Sequence, residues 1–319
     1  TAETLVREQA KPQIQTETVD SFYRRTIAQL KQEGAVGNAY AYMNSYYLLK
    51  KFNDDKPLSC LFSQIDDAFL SAFESWMRSR GNKETTLSFQ MRTLRAVFNR
   101  AVKAKIVSKE KNPFAEYKIS KFNTRTPKRA LSKADIMKIV NADCTLEKPV
   151  CRLAHDLFVF SYLCGGISFV DIANLTPESI AEGRLIYRRQ KTHGAINIPF
   201  SEQAKVIAEK YAAYCEHAGY LFPILNMHRH ITPQQKQNRV HKVCRQVNLA
   251  LQDFAKRQGI KATVTTYVAR HSFATVLKKS GVNIGIISEA LGHHSLKTTQ
   301  IYLDSFENSQ IDAAMQNLL

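Results

Sequence analysis

The spacing of hydrophobic residues predicts helices along most of the chain. In the first third, apolar positions recur at intervals of three and four residues in four successive stretches. These positions are Phe22, Ile27 and Leu30; Tyr40, Met43, Tyr47 and Leu48; Ile65, Phe69, Phe73 and Trp76; and Leu87, Met91, Leu94, Phe98 and Ala101. Four such helices predict a small helical bundle over residues 17–117. Residues 1–16 lack this periodicity and contain a proline, so we expect a flexible tail.

In the second half of the chain, the spacing of hydrophobic residues is again helical except for one short stretch, where it is typical of β-strands. Ser132 can cap a helix that opens there, and a long apolar helix is predicted over about 150–164. Residues 184–190 and 195–200 read as two strands flanking KTHG, which predicts a β-hairpin with Gly194 in its turn.

Helices then resume. We expect them over about 201–216 and 233–258, with two or three more over 267–302, separated by Gly281 and Gly292. The predicted fold is therefore mainly α with a small antiparallel β-hairpin, in two domains.

Charge limits the kind of partner. The 319 residues include 45 Lys and Arg against 28 Asp and Glu, a formal net charge of +17. Such a surplus indicates a polyanionic partner, although an acidic protein or a ribosome-like surface would also fit. Six cysteines without CxxC spacing and no evident signal peptide favour a reducing, cytosolic location. The longest apolar run, 157–170, contains two glycines and is short for a membrane span.

Two basic stretches are predicted to contact double-stranded DNA. The fourth helix has no acidic residue between Met91 and Ser108, and a solvated face is the alternative. Residues 118–130 contain five basic residues and no acid, so they form either a linker that tracks phosphates or a simple connector. The candidate DNA contacts are Arg92, Arg95, Arg100 and Lys103 of the helix, Lys121, Arg125, Lys128 and Arg129 of the linker, and Arg188 and Arg189 of the hairpin.

Residues 267–302 combine the side chains that phosphodiester chemistry requires. Arg270 offers a fork of donors that matches a phosphate, His271 and His293 can exchange protons near neutral pH, and Tyr302 carries a phenol. A phenol is a usable nucleophile when its oxygen and its target are both held in place. The combination of these residues in one short stretch therefore predicts covalent chemistry on a phosphodiester.

Three stretches resemble the tyrosine recombinases, also called the phage integrase family: ARHSFAT at 269–275, LGHHSLKTTQIY at 291–302 and RRQKT at 188–192. Within that family, the chain resembles integrases of Bacteroidetes mobile elements. The resemblance implies a C-shaped, two-domain DNA clamp: a helical, SAM-like core-binding domain at 17–117, a basic interdomain linker at 118–130 and a mostly helical catalytic domain at 131–305. It further implies that a C-terminal helix at 306–319 docks in trans on a neighbouring protomer.

The resemblance also implies a role for each site residue. Tyr302 would form the 3′-phosphotyrosyl bond, Arg270 would clamp the phosphate, and His293 would donate to a non-bridging oxygen. Lys191 would be the general acid for the leaving 5′ oxygen. Tyr267 stands where many members have histidine. Neither a metal ion nor another cofactor is implied.

One catalytic arginine of the family is missing from its expected place. Counted back from Asp171, its common position falls on Ser168 and a variant position on Gly165. Three explanations are open: an arginine from elsewhere in the fold, with Arg152 as a candidate; a substitution at Gly165; or an enzyme that works slowly with fewer donors.

The predicted function is site-specific recombination of DNA, for integration or excision of a mobile element. The protein would act as a dimer on each site and a tetramer in synapsis, without membrane association, in the bacterial cytoplasm. Accessory DNA-bending proteins are compatible with it. The alternatives are a catalytically weakened DNA-binding regulator and a type IB topoisomerase-like enzyme.

Overall fold

The computed structural model describes residues 17–124 and 130–303, with only the backbone of Ile301 and Tyr302. The chain divides into two compact units, Thr1–Thr126 and Pro127–Leu319, which we call the N-terminal and C-terminal units. Each unit has its own hydrophobic core. The predicted tail at 1–16 and the predicted helix at 306–319 lie outside the described residues.

Four helices form the N-terminal unit. They are α1 (Val19–Gln32), α2 (Val36–Phe52), α3 (Asp67–Ser79) and α4 (Glu84–Lys103), and short 3-10 turns follow at Lys109–Lys111, Pro113–Ala115 and Ile119–Lys121. Side chains satisfy the first free amides of two helices, since Thr18 accepts from Ser21 N at 3.2 Å and Asp66 from Phe69 N at 2.8 Å. The apolar stripe of α4 is wholly buried, as its spacing predicts.

Helix α2 turns a different face to the core from the one its apolar residues suggest. Tyr42, Tyr46 and Leu49 are buried, whereas Tyr47 is 54% exposed. The helix is apolar nearly all round, so its spacing predicts a helix without selecting a face. Packing against α1 and α4 selects it.

The predicted linker begins later than its basic composition suggests. Ile119 and Phe122 are buried in the core of the N-terminal unit. The Lys121 ammonium pairs with Glu74 Oε2 at 2.6 Å and lies 4.0 Å from the centre of the Tyr117 ring. Residues 118–122 are therefore folded onto the unit, and the charge of Lys121 is neutralised within the protein.

Nine described helices and one small sheet form the C-terminal unit. The helices are α5 (Lys133–Val140), α6 (Pro149–Leu163), α7 (Phe169–Ala173), α8 (Glu202–Glu209), α9 (Ala212–Ala218), α10 (Pro233–Arg257), α11 (Thr266–Lys279), α12 (Ile284–Ala290) and α13 (Leu296–Tyr302). The apolar helix α6 is central and packs against α10 and α11. Ser132 caps α5 as predicted, because its Oγ accepts from Asp135 N at 3.1 Å.

The sheet contains the predicted hairpin and one further strand. Strands β1 (Ile180–Ala181), β2 (Arg184–Arg188) and β3 (Ala195–Pro199) are antiparallel in that order. The hairpin register pairs Arg188 with Ala195. Strand β1, of two residues, is too short to give a period in the sequence.

The predicted helix over 201–216 is two helices. The break between α8 and α9 falls at Lys210 and Tyr211, both of which donate to the buried Asp156 carboxylate at 2.9 Å. A buried carboxylate needs such partners, and the chain bends where it supplies them. The mainly helical fold with a small antiparallel sheet is confirmed. No described helix is long and apolar enough to cross a membrane.

Candidate functional site

Arg270 is the centre of a polar cluster in the C-terminal unit. It lies on α11 and is only 3% exposed. Its Nη1 donates to Gly166 O at 2.9 Å, its Nη2 donates to Leu291 O at 2.5 Å, and Nη2 lies 3.1 Å from His293 Nε2. Position 166, in the turn after α6, has no room for a side chain, because a β-carbon on Gly166 would stand 2.9 Å from Arg270 Cα. Backbone carbonyls thus hold the guanidinium in one orientation.

His293 follows the turn that ends α12. Its Nδ1 lies 2.8 Å from the buried hydroxyl of Thr299 on α13. A guanidinium can only donate, so Nε2 accepts from Arg270 and the ring proton sits on Nδ1, toward Thr299. Burial, together with the charges of Arg270 and Arg189, lowers the pKa of His293 to about 4. The imidazole is therefore neutral at physiological pH.

Arg189 is a second buried guanidinium in the same cluster. It is 8% exposed, and its Nη1 donates to Gly292 O at 2.9 Å and to Leu291 O at 3.3 Å. Two arginines from distant parts of the chain therefore converge on the Leu291 carbonyl. Arg189 is among the predicted DNA contacts; because it is buried in this cluster, a phosphate must enter the cluster to meet it, and the DNA contact stays a prediction. The sequence does contain a signal for this burial: Leu185 and Tyr187 share one face of β2, and Arg189, the residue after the strand, continues the same alternation.

Asp171 ties Arg189 and the following loop to α7. Its Oδ1 accepts from Gln190 N at 2.7 Å, and its Oδ2 accepts from the Ser168 hydroxyl at 2.6 Å. Arg189 Nε lies 3.8 Å from the same Oδ2. The carboxylate therefore fixes the start of the loop between β2 and β3, one residue before Lys191.

Lys191 is exposed in the loop between the strands. The loop is closed by two hydrogen bonds, from Arg189 N to Gly194 O and from His193 N to Arg189 O, each 2.9 Å long. The positive φ of the loop, +56°, falls on His193 and not on the glycine. The backbone of the loop is therefore held at both ends, while the side chain of Lys191 extends into solvent.

Two tyrosines complete the predicted set. Tyr267 lies one turn before Arg270 on α11, is 47% exposed, and sets its ring edge-on to His271 with centroids 4.8 Å apart. Tyr302 is the last residue of α13, three positions after Thr299. Only its backbone is described, so the role of its phenol stays a prediction.

The N-terminal unit contains a basic groove of about 490 Å³ between α4 and the 3-10 turns after it. The lining residues with polar side chains are Ser88, Arg92, Arg95, Tyr117, Lys118, Ser120 and Thr124, and no acidic residue is among the described residues that line it. The nearby Glu74 and Glu84 are paired with Arg78. We call this cavity the α4 groove.

The four basic residues predicted on α4 do not act as one surface. Arg92 and Arg95 are exposed and line the α4 groove. Arg100 stacks on Tyr42 of α2, 5.6 Å from the ring centre, and Lys103 is exposed at the end of the helix. Only the first two share a cavity.

Comparison with known families agrees with these features. A model of the phage integrase SAM-like domain matches residues 18–119, and that of the phage integrase family matches residues 129–309, more than half of the chain. The chain belongs to the phage integrase family. The resemblance inferred from the three motifs is thereby confirmed.

Relatives within the phage integrase family cover most of the chain. Tyrosine recombinase XerC of Thermodesulfovibrio yellowstonii is 28% identical over 251 residues, 75% of this chain and 77% of the relative. Tyrosine recombinase XerA of Pyrococcus horikoshii is 29% identical over 278 residues, 86% of this chain and 85% of the relative.

Two solved integrases share the fold. The Tn1549 transposon integrase in complex with transposon right end DNA gives a TM-score of 0.64 at 17% identity, covering 95% of this chain and 99% of that one. A lambda integrase dimer bound to a core site gives 0.63 at 18% identity, covering 91% and 99%. These likenesses concern the fold alone.

The first arginine expected of a phage integrase family member is absent from all three places considered. Gly165 has a φ of +67° in the turn after α6, and Ser168 caps α7. Arg152 is exposed and donates to Thr145 O at 3.2 Å near the start of α6. Eleven residues of helix separate it from Leu163, roughly 17 Å at the usual helical rise. The structure therefore does not bring Arg152 to the cluster.

The remaining predicted contacts fall in two groups. Arg188 is exposed beside the loop, with Nη1 3.5 Å from His193 O. Arg125, Lys128 and Arg129 lie outside the described residues. In the part of the chain that the structure describes, no group of three or more His, Cys, Asp or Glu side chains is arranged to hold a metal ion.

Proposed function

We propose that this chain is a site-specific tyrosine recombinase that cuts and rejoins double-stranded DNA through a 3′-phosphotyrosyl bond to Tyr302. One observation carries the proposal: in a member of the phage integrase family, two buried guanidinium groups, Arg270 and Arg189, converge on the Leu291 carbonyl beside a neutral His293. Fixed donors of this kind stabilise the charge of a phosphoryl transition state because they need no reorganisation during the reaction.

Each step then has a named group. The Tyr302 phenol releases its proton to solvent, and its oxygen forms a bond to phosphorus while the bond from phosphorus to the 5′ oxygen breaks. Lys191 gives the 5′ oxygen a proton. Arg270 donates to the non-bridging oxygens. His293 donates with it once the ring proton moves to Nε2 and Nδ1 accepts from the Thr299 hydroxyl instead. Because a phosphodiester is exchanged for a phosphotyrosine ester, the energy for rejoining is retained in the intermediate.

Arg189 takes the role of the missing first arginine in this proposal. Its support is threefold: burial, the shared Leu291 carbonyl, and a charge close enough to lower the pKa of His293. Of the three explanations that the sequence leaves open, this is the first, with Arg189 in place of Arg152.

In the N-terminal unit, the α4 groove is the proposed binding site for DNA phosphates. Arg92, Arg95 and Lys118 supply positive charge, while the hydroxyls of Ser88 and Ser120 can donate to phosphate oxygens. Positive charge without acidic neighbours suits a polyanion. Binding through it should depend steeply on salt.

The assembly belongs to the proposal as well. Lambda integrase, similar in fold, has been solved as a dimer on a core site and as a tetramer on a Holliday junction. We extend this to the present chain as a dimer on each site and a tetramer in synapsis, with residues 306–319 docking in trans. The C-shaped clamp and the role in integration or excision are proposed with it.

The phenol of Tyr302 provides the decisive test. Purified protein is incubated with nicked suicide duplexes that trap a covalent intermediate, and adducts are resolved on denaturing gels. Tyr302→Phe should abolish the adduct. Tyr214→Phe is the control, because it removes a hydroxyl that donates to Leu225 O at 2.6 Å in the same unit and should leave the adduct intact.

Other outcomes separate the alternatives. Specific DNA binding without an adduct at any site would identify a DNA-binding regulator. Relaxation of supercoiled DNA with little sequence preference would identify a topoisomerase-like enzyme.

A further inference from the structure

The loop that carries Lys191 fits closely against the segment that carries His293. A β-carbon on Gly292 would stand 2.5 Å from Ile196 Cδ1 and 2.9 Å from Arg189 Cδ, so a larger residue there would force these side chains to shift. The next residue but one, His294, covers the other end of the loop. Its Cε1 and Nε2 lie 3.6 and 3.9 Å from the place where a β-carbon of Gly194 would stand.

Thr192 supplies an independent observation at the same place. Its Oγ1 is buried without a hydrogen-bond partner among the described residues. That oxygen lies 3.8 Å from the same β-carbon position on Gly194. Buried hydroxyls are nearly always hydrogen-bonded, so the loop contains a group that lacks a partner. An imidazole nitrogen of His294 lies against the same glycine.

We propose that His294 is a positioning residue for Lys191. Its ring packs on Gly194, and its Nε2 pairs with the Thr192 hydroxyl when the loop closes on a phosphodiester. Thr192 is adjacent to Lys191, so this bond fixes the backbone from which the lysine side chain extends. The inference rests on the proposed function, in which Lys191 is the general acid.

The effect follows from the length of the lysine side chain. A four-carbon stem samples many rotamers, and the ammonium reaches the leaving oxygen reliably only if its backbone is held. Misplacement of a catalytic group by about 1 Å can cost roughly 100-fold in rate. His294 is exposed, and it does not touch the reacting atoms in this arrangement. It acts through the loop.

Sulfur substitution at the leaving atom distinguishes this role from a general defect. In the normal reaction, the electron pair of the broken bond stays on the 5′ oxygen, which takes a proton from Lys191. When the bridging atom is sulfur, the thiolate leaves without a proton, because thiols are far stronger acids than alcohols. A variant impaired only in proton donation therefore regains its rate on the sulfur substrate.

The experiment compares single-turnover cleavage of nicked suicide duplexes with a 5′-bridging oxygen or sulfur. His294→Ala should slow cleavage of the oxygen substrate about 10-fold or more and cleave the sulfur substrate within about twofold of the unsubstituted protein. Thr192→Val should behave in the same way. Lys191→Ala should lose about 100-fold or more on oxygen and be rescued by sulfur. His228→Ala, at another exposed histidine of the unit, should change neither rate.

The controls distinguish the failure of each idea. Thermal unfolding of His294→Ala should match the unsubstituted protein. If Lys191→Ala is rescued and His294→Ala is slowed equally on both substrates, the positioning role is wrong while the proposed function stands. If Lys191→Ala is not rescued, the general-acid role itself fails. An unaffected Thr192→Val would exclude the bond between Thr192 and His294.

Discussion

The two units use arginine in opposite ways. In the N-terminal unit, Arg92 and Arg95 are exposed beside the α4 groove, and the only hydrogen bond seen for the pair within residues 17–124 and 130–303 is a long one from Arg92 Nε to Ser88 O. In the C-terminal unit, Arg189 and Arg270 are buried and bonded to backbone carbonyls. Mobile surface charge gives affinity that salt screens, whereas a fixed buried charge suits transition-state stabilisation. Affinity and rate should therefore respond to different arginines.

Replacement of Arg270 should have the largest effect on rate. We expect Arg270→Lys to slow formation of the covalent adduct by about 100- to 1,000-fold, because one ammonium cannot replace two directed donors. Single-turnover cleavage at saturating protein measures it. Binding of the same duplex, followed by fluorescence anisotropy, should change little. Loss of binding equal to the loss of rate would contradict the division between the units.

Replacement of Arg189 should slow cleavage less than replacement of Arg270 does, and it should likewise leave DNA binding nearly unchanged. Arg189→Met keeps much of the side-chain volume and removes the charge, and we expect cleavage to slow about 10- to 100-fold. The pKa of His293 should rise toward its ordinary value, since one of the charges that lowers it is gone. Histidine NMR titration measures this change. The exposed neighbour Arg188 provides the control, and Arg188→Met should leave the His293 pKa unchanged.

Replacement of Gly292 tests whether the buried cluster depends on close packing. Its φ is +61°, and an added β-carbon would meet Ile196 and Arg189. We expect Gly292→Ala to reduce the free energy of unfolding by about 1–3 kcal/mol and to slow cleavage by shifting Arg189. Gly183→Ala is a matched control: its φ is +69°, yet nothing lies within 4 Å of the added carbon. It should cost stability without an equal loss of rate.

The sequence predicted the helices and strands of both units better than it predicted which groups their charged side chains contact. Helical spacing identifies α4 and its buried face, because those residues repeat at a fixed period. It does not reveal that Lys121 pairs with Glu74, 47 positions earlier, or that Arg189 meets Leu291, 102 positions later. Such pairs form only when the tertiary fold brings distant segments together. The motif around Arg270 and His293 was recognisable because those residues belong to one short stretch.

Neutralising the α4 groove should affect binding and its salt dependence. If Arg92 and Arg95 each contact one phosphate, Arg92→Ala with Arg95→Ala should reduce the slope of log affinity against log salt by about 2. Lys121→Met is the matched control, since its charge is already paired with Glu74. That variant should lose stability and keep the slope. An unchanged slope in the double variant would place the DNA elsewhere, and the rate of cleavage at saturation should stay close to normal in either case.

The smallest expected effect is the pH dependence that His293 gives to stability. Its pKa is lowered to about 4 in the folded chain, so between about pH 4 and 6.5 the unfolded chain binds more protons there than the folded chain. This contribution is complete above pH 6.5 and is lost as the pH falls toward 4. His293→Asn removes it, and the fall in unfolding free energy between pH 7 and pH 5, measured in urea, should be smaller than in the unsubstituted protein. The same substitution at His228, which is exposed and lies outside the buried cluster, should leave that fall unchanged. An equal fall in all three proteins would mean that burial and the charges of Arg270 and Arg189 do not hold His293 in its neutral form, and the proposed use of a neutral imidazole beside the two arginines would be wrong.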